Sequence, residues 1–241
     1  MNKLYCNDPS LYQLAQQLVN FTNQLELVTD KPNDEIYLEL TYANLNLVIN
    51  QMLPFNLEQV YLPLIKRKFN QDFLITTINL PKGSLVYDLT AGLGQDSFIL
   101  SSFGYEVLMV EQNPILATML YHAIEVGLFP AKSISIIYAN SLGFLQNNLT
   151  HKPDAIYLDP MFNDNKSAKS KLQIQLIDRL LANDVVTLDS NNAKLFNLAY
   201  EHATKKIIVK RDNNAKQLIA SPLPTYSKSG KTIRYDVYVI S

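Results

Sequence analysis

Asp159-Pro160-Met161-Phe162, closing the apolar run Ala155-Ile156-Tyr157-Leu158, combines residue types that could hold a planar nucleobase by its amino group. The aspartate can accept hydrogen bonds from an exocyclic amine, the proline fixes the turn, and the phenylalanine offers a face for stacking. A carboxylate and a proline also close many strands that bind nothing, so the tetrad needs support from elsewhere. A second constellation lies upstream, in Asp88-Leu89-Thr90-Ala91-Gly92-Leu93-Gly94-Gln95-Asp96. Two glycines between an apolar run and a helical pattern let backbone approach a ligand. Ser97 stands where a dinucleotide fingerprint needs its third glycine, and Asp96 puts negative charge where a pyrophosphate would sit. The loop therefore suits an uncharged or cationic ligand; a tight strand-to-helix turn with no ligand is the simpler alternative.

Twenty-three positions beyond Asp88, Glu111 ends another apolar run, a place suited to binding both hydroxyls of an adenosine ribose. Gln112 and Asn113 can add amide hydrogen bonds, and Asn140 and Ser141 offer polar groups for an adenine edge. Four successive strand ends thus carry polar or acidic residues, and in an open α/β sheet that edge binds ligands.

The elements that must position these residues follow from periodicity. Asp8-Pro9 begins a helix with Leu11, Leu14, Ala15, Leu18 and Val19 on one face. Alternation over Ile36–Leu40 and a run from Leu45 to Ile49 predict a hairpin, and Leu57 to Ile65 a helix ending in Lys66-Arg67-Lys68. Residues 1–80 read as a small α+β subdomain, and residues 81–241 as an α/β domain. In the latter, strands at 85–89, 105–110, 134–138 and 155–158 alternate with helices, which predicts a parallel sheet covered on both faces. Helical patterns cover 172–181 and 193–203, and strands over 206–209, 226–229 and 233–240 end the chain in an antiparallel hairpin.

Composition narrows the function classes. The 241 residues are 47% hydrophobic, enough for one large core. A lone cysteine, Cys6, excludes a disulfide framework, and His122, His151 and His202 lack metal-ligand spacing, so no metal is expected. No apolar run approaches the roughly 20 residues of a membrane span, and Met1-Asn2-Lys3-Leu4-Tyr5 has no long apolar region, so a soluble cytoplasmic protein is expected. A net charge of −1 argues against non-specific coating of nucleic acid. A nucleic-acid enzyme would have to gather its cations locally, and clusters stand at Lys66-Arg67-Lys68, at Lys166, Lys169 and Lys171, at Lys205, Lys206, Lys210 and Arg211, and at Lys228, Lys231 and Arg234.

Nucleoside-binding loops beside a base-gripping tetrad point to S-adenosylmethionine as donor and a base amine as acceptor. A sulfonium tolerates Asp88, Asp96, Glu111 and Asp159 where phosphates would not. The whole pattern resembles the class I methyltransferases, a Rossmann-like fold. More narrowly, Asp88-x-Thr90-Ala91-Gly92-Leu93-Gly94-x-Asp96, Glu111-x-Asn113-Pro114, Tyr157 to Phe162, Val209-Lys210-Arg211 and Arg234 to Tyr238 resemble the ribosomal RNA small-subunit methyltransferase J family. The resemblance covers roughly residues 65–240 and implies methylation of the exocyclic N2 of a guanine near the 3′ end of 16S rRNA, in the isolated RNA or the small ribosomal subunit. It implies a donor held by Gln95, Asp96, Glu111, Gln112, Asn140, Ser141 and Asp159, to which the loop adds Asp88 and Gly92. Asp159, Pro160 and Phe162 form the catalytic set, and Lys66, Arg67, Lys68, Lys166, Lys169, Lys171, Lys210 and Arg211 are candidate contacts to RNA phosphates. Two other readings stay open on the residues alone: adenine-N6 methylation of DNA or RNA, and a non-catalytic RNA-binding module on the same fold.

Overall fold

The computed structural model describes residues 1–34, 36–49, 55–68, 71–129, 133–147, 151–160 and 188–240, the last span with side chains from 191 onward. Met161, Phe162, Lys166, Lys169, Lys171 and the helical pattern at 172–181 lie outside the described residues. Two sheets organise the chain. The N-terminal one comprises β1 (Asn2–Tyr5), β2 (Leu25–Val28), β3 (Ile36–Leu40) and β4 (Leu45–Ile49), in the order β2-β1-β3-β4. The expected β3–β4 hairpin is present, and β1 runs parallel to both β2 and β3. Asp8 accepts the Ser10 N–H at 2.9 Å and caps the 3-10 turn Pro9–Leu11, which leads into α1 (Tyr12–Thr22). The periodicity does not single out β1 or β2, because each has four residues of which one, Leu4 or Leu25, is buried.

Helix α2 (Glu58–Ile65) turns Val60, Tyr61 and Leu64 inward. The short α3 (Phe73–Ile78) is a helix that composition hides, since Ile75, Thr76, Thr77 and Ile78 are β-branched. Its start is secured by Asp72, which accepts the Leu74 N–H at 2.8 Å, and Asn79 in the left-handed region ends it.

The second sheet comprises β5 (Leu85–Asp88), β6 (Glu106–Glu111), β7 (Ile134–Tyr138), β8 (Ala155–Leu158), β9 (Lys206–Asp212), β10 (Tyr226–Ser229) and β11 (Ile233–Val239). Their order is β10-β11-β9-β8-β5-β6-β7. The first five in sequence are parallel, and β11 runs antiparallel to both β9 and β10, as a terminal hairpin requires. Helices α4 (Gln95–Phe103), α5 (Pro114–Glu125), α6 (Ser141–Asn147) and α7 (Leu188–His202) connect the strands.

The central strands are buried from both sides, which is why β8 and the Ile207-Ile208-Val209 stretch read as unbroken apolar runs. One core cluster takes in Val86, Val107 and Met109 with Phe98 and Leu116 from α4 and α5, and continues to Leu4, Leu38 and Tyr61. On the opposite face Phe144 and Leu145 of α6 pack with Ile156, Leu158, Phe196 and Ala199. Each such side chain contributes about 1.5–3 kcal/mol relative to exposure. From β5 the chain builds outward through β6 and β7, then crosses to the other side of β5 for β8 and β9. That reversal opens a crevice at the carboxyl ends of β5 and β8, the place where α/β sheets bind ligands.

Candidate active site

The loop leaving β5 is fixed from beneath. Asp88, 1% exposed, accepts the Ser97 hydroxyl at 2.6 Å and the Thr90 N–H at 3.1 Å, so its carboxylate faces the underside of the loop and the first turn of α4. Burial pushes its carboxyl up to about 7, against the pull of those two hydrogen bonds. Gly92 and Gly94 both have positive φ, 54° and 67°, which a side chain would strain. At Gly94 there is also no space, since a Cβ would stand 2.6 Å from Leu120 Cδ2 and 2.9 Å from the Tyr61 hydroxyl. At Gly92 a Cβ would meet nothing nearer than the Thr90 carbonyl at 3.9 Å, leaving an open cradle of backbone.

Glu111 joins that cradle to the next strand end. Its Oε2 accepts the Gly92 N–H and its Oε1 the Asn113 N–H, both at 2.8 Å, and the residue is 7% exposed. Asn113 in turn caps α5, accepting from Ile115 and Leu116, with Pro114 at the first helical position. Further along the edge, the Asn140 amide donates to Gln112 Oε1 at 2.7 Å while its oxygen accepts the Leu142 N–H, and the Ser141 hydroxyl donates to the Leu89 carbonyl at 2.6 Å. The ends of β5, β6 and β7 are thus laced into one surface bearing a carboxylate and three amide or hydroxyl groups.

The tip of β8 is held differently. The Asp159 N–H donates to Thr90 Oγ1 at 2.6 Å, which ties the strand end to the glycine loop. The Lys210 ammonium lies 2.9 Å from Asp159 Oδ2 and 2.8 Å from Asp96 Oδ2, and the Tyr157 hydroxyl donates to that same Asp96 oxygen at 2.6 Å. Burial alone would raise Asp96, but the Lys210 ammonium and the Tyr157 hydroxyl hold it below the usual carboxylate range. Asp159 goes the other way: burial and the Asp96 charge raise it, and Lys210 opposes them. Burial would discharge Lys210, yet the two carboxylates lift it well above its ordinary value. Tyr157 and Tyr235, which flank the cluster, are likewise held protonated, first by burial and then by the carboxylates. Two carboxylates around one ammonium leave the cluster with a single negative charge, which a cationic ligand can neutralise.

Of the expected donor-binding residues, Gly92, Gln95, Asp96, Glu111, Gln112, Asn140, Ser141 and Asp159 lie along this one edge. Asp88 lies behind the loop, its carboxylate accepting from Ser97 and Thr90. Lys210 and Arg211 are both engaged within the chain. Lys210 belongs to the carboxylate cluster, and Arg211, 6% exposed, turns its guanidinium onto the Lys216 carbonyl. Lys66, Arg67 and Lys68 are exposed at the end of α2, with Arg67 3.3 Å from Asp72. Pro160 is buried directly after Asp159, while Phe162 falls outside the described residues.

The composition-based reading missed Thr90, Tyr157, Tyr235 and the true place of Lys210. A signal for Lys210 was available: laying Ala155 beside Lys206, the register the parallel strands adopt, puts Asp159 next to Lys210. Tyr61 was missed too, and its hydroxyl, from α2, donates to the Leu93 carbonyl inside the glycine loop at 2.9 Å.

A family described as "Putative SAM-dependent methyltransferase" matches residues 20–240. The ribosomal RNA small subunit methyltransferase J of Legionella pneumophila (strain Paris) is 34% identical over 172 residues, covering 69% of this chain and 67% of the relative. The protein of that name in Chromobacterium violaceum is 29% identical over 255 residues, covering 98% of this chain and 96% of its own. Among solved structures, a SAM-dependent methyltransferase from Neisseria gonorrhoeae superposes with a TM-score of 0.75 at 24% identity, covering 100% of this chain and 96% of its own, and so shares the fold.

Proposed function

Because the chain belongs to the ribosomal RNA small subunit methyltransferase J family of SAM-dependent methyltransferases, we propose that it methylates the exocyclic N2 of a guanine in small-subunit ribosomal RNA. The residues present fit the donor: an open backbone cradle at Gly92, a carboxylate at Glu111, and a crevice whose net negative charge suits a sulfonium and would repel a pyrophosphate. S-adenosylmethionine supplies an electrophilic methyl with a neutral thioether as leaving group. The chain's own task is to position, which is where most of the rate of such a displacement comes from.

Glu111, fixed at the end of β6 by the Gly92 and Asn113 N–H groups, is the carboxylate placed to accept the ribose hydroxyls. Gln112, Asn140 and Ser141 line the adjoining edge for the adenine. The observation that carries the acceptor side is Asp159. With its N–H fixed on Thr90 and its Oδ2 on Lys210, the carboxylate has one oxygen, Oδ1, that no hydrogen bond or ion pair among the described residues engages, and the side chain is 39% exposed. That oxygen can accept one N2 hydrogen and the Pro160 carbonyl the other, which turns the nitrogen lone pair toward the donor. The amine is inaccessible in stacked RNA, so the base enters flipped or already unpaired. Lys66, Arg67 and Lys68, with Lys166, Lys169 and Lys171 from the undescribed stretch, are the cations left to neutralise phosphates.

The test is to incubate the protein and labelled donor with small subunits from cells lacking it, then digest the RNA and identify the labelled nucleoside. N2-methylguanosine at one position is the expected result. Label found only as N6-methyladenosine would transfer the reading to adenine, and no label in the RNA, with donor binding intact, would leave a binding module.

A further inference from the structure

We infer that Lys210 is a positioning residue that ties the acceptor carboxylate Asp159 to the donor-side carboxylate Asp96, fixing the charge and orientation of Asp159 for the incoming amine. This rests on the reading of Asp159 as the acceptor-binding group.

The geometry is unusual for a lysine in a basic run. Lys210 follows Ile207-Ile208-Val209, three fully buried residues of β9, and emerges beside Asp159 because β9 and β8 are in parallel register. Its ammonium bridges carboxylates brought from two elements, α4 at 2.8 Å and the tip of β8 at 2.9 Å. A lysine has three N–H donors, and two are committed here. The groups facing the cluster are Asp88 from β5, Asp96 from α4 and the more distant Arg67, Tyr157 from β8 and Asp159 just beyond it, Asp212 from β9, Tyr235 from β11, and Asp72 at the start of α3. Lys210 is the cation among these that contacts Asp159 directly. Without it, two carboxylates that repel one another would share a partly closed site, and one would take up a proton. A protonated Asp159 loses acceptor capacity at the amine, and its ring of partners no longer holds it in place.

Three substitutions test this through the pH dependence of kcat at saturating donor and RNA. In Lys210→Met, kcat should fall about a hundredfold and the acidic limb of the profile should move up by roughly one pH unit or more. Lys210→Arg, which restores the cation, should return the limb to its original place and recover part of the rate. Asp96→Asn leaves Lys210 to Asp159 alone and removes the neighbouring negative charge, so its limb should move to lower pH whatever happens to donor affinity. Opposite displacement in Lys210→Met and Asp96→Asn supports the inference, and a limb that stays in place in both overturns it. If Lys210→Met does not fold, Asp96→Asn decides it, with Lys210→Arg as the control whose limb should stay in place: a limb moved to lower pH in Asp96→Asn supports the inference, and one that does not move overturns it. The nucleoside formed by the unaltered protein is identified in the same assays, so a wrong acceptor base shows itself separately from a wrong role for Lys210.

Discussion

On the donor side of the crevice, Glu111 is held by two backbone N–H groups at 2.8 Å and Asp88 by a hydroxyl and a backbone N–H; on the acceptor side, Asp159 is held by an ammonium that it shares with Asp96. Backbone donors carry no titratable proton and come with the fold, so the groups that hold Glu111 do not change with pH. An ammonium between two carboxylates can be unbalanced by pH or by the loss of any one member. The difference suits the two ligands. A donor of constant structure can be met by a fixed surface, whereas an amine presented on a flipped base must be met by a group whose ionisation state decides whether it binds. Substitutions on the two sides should therefore fail in different parameters.

The largest effect is expected on the acceptor side. Asp159→Ala removes the only carboxylate proposed to touch the reacting amine, and single-turnover methyl transfer should slow by roughly 10²–10³-fold. Binding of S-adenosylhomocysteine, measured by calorimetry, should change much less. A slowing of under tenfold would remove Asp159 from its assigned place. Glu111→Gln should show the reverse split. Exchanging the carboxylate for an amide costs one of its charge-assisted N–H bonds and weakens its grip on ribose hydroxyls, so affinity for S-adenosylhomocysteine should fall about tenfold to a hundredfold. If kcat falls instead while affinity holds, the contrast between the two sides is broken.

The asymmetry also explains what could be read in the sequence. Residues 85–158 were legible because parallel strands buried on both faces produce apolar runs, and turns at Gly92-x-Gly94 and Asn113-Pro114 punctuate them. Donor-side groups sit within a few positions of those turns, so their spacing betrays them. The acceptor cluster joins Asp96, Asp159 and Lys210, partners 51 and 114 positions apart in the closest pairs to Lys210, and no local spacing records that. Val209-Lys210-Arg211 looks like a solvated basic run until β8 and β9 are placed in register. Composition fails again at α3, where four β-branched residues form a helix because Asp72 caps it and Leu74, Ile75 and Ile78 are buried. There tertiary burial outweighs propensity.

A smaller effect tests whether donor-side carboxylates are structural as well as electrostatic. The Asp88 carboxyl rises from 3.8 to about 7 in the folded protein. A raised carboxyl favours folding fully below its unfolded value, and that contribution is lost as pH climbs from about 4 to about 7, an upper bound of roughly 4 kcal/mol. Asp88→Asn has no charge to bury, yet it gives up the charge-assisted bonds from Ser97 and Thr90. Its net gain above pH 7 should be about 1 kcal/mol, a rise in Tm of roughly 2–4 °C. The difference in Tm from the unaltered protein should shrink and reverse as pH falls toward 4. A difference independent of pH would mean that Asp88 is ionised throughout and held by its hydrogen bonds alone.

The smallest effect concerns the reach of the N-terminal region into the donor side. Tyr61 of α2, 1% exposed and stacked on Phe98 at 4.8 Å, donates its hydroxyl to the Leu93 carbonyl between the two glycines. Tyr61→Phe keeps the ring and its packing but leaves that carbonyl without its partner, at a cost of about 0.5–1.5 kcal/mol. Because the loop is the proposed donor cradle, part of that cost should appear as a weakening of S-adenosylhomocysteine binding by about threefold to tenfold, with kcat at saturating donor nearly unchanged. Affinity equal to that of the unaltered protein, alongside a lowered Tm, would make Tyr61 a packing residue with no hold on the loop. A matched loss in affinity would instead mean that the donor side, for all its backbone-built rigidity, is braced by a side chain from α2, outside the strands and loops that form the crevice.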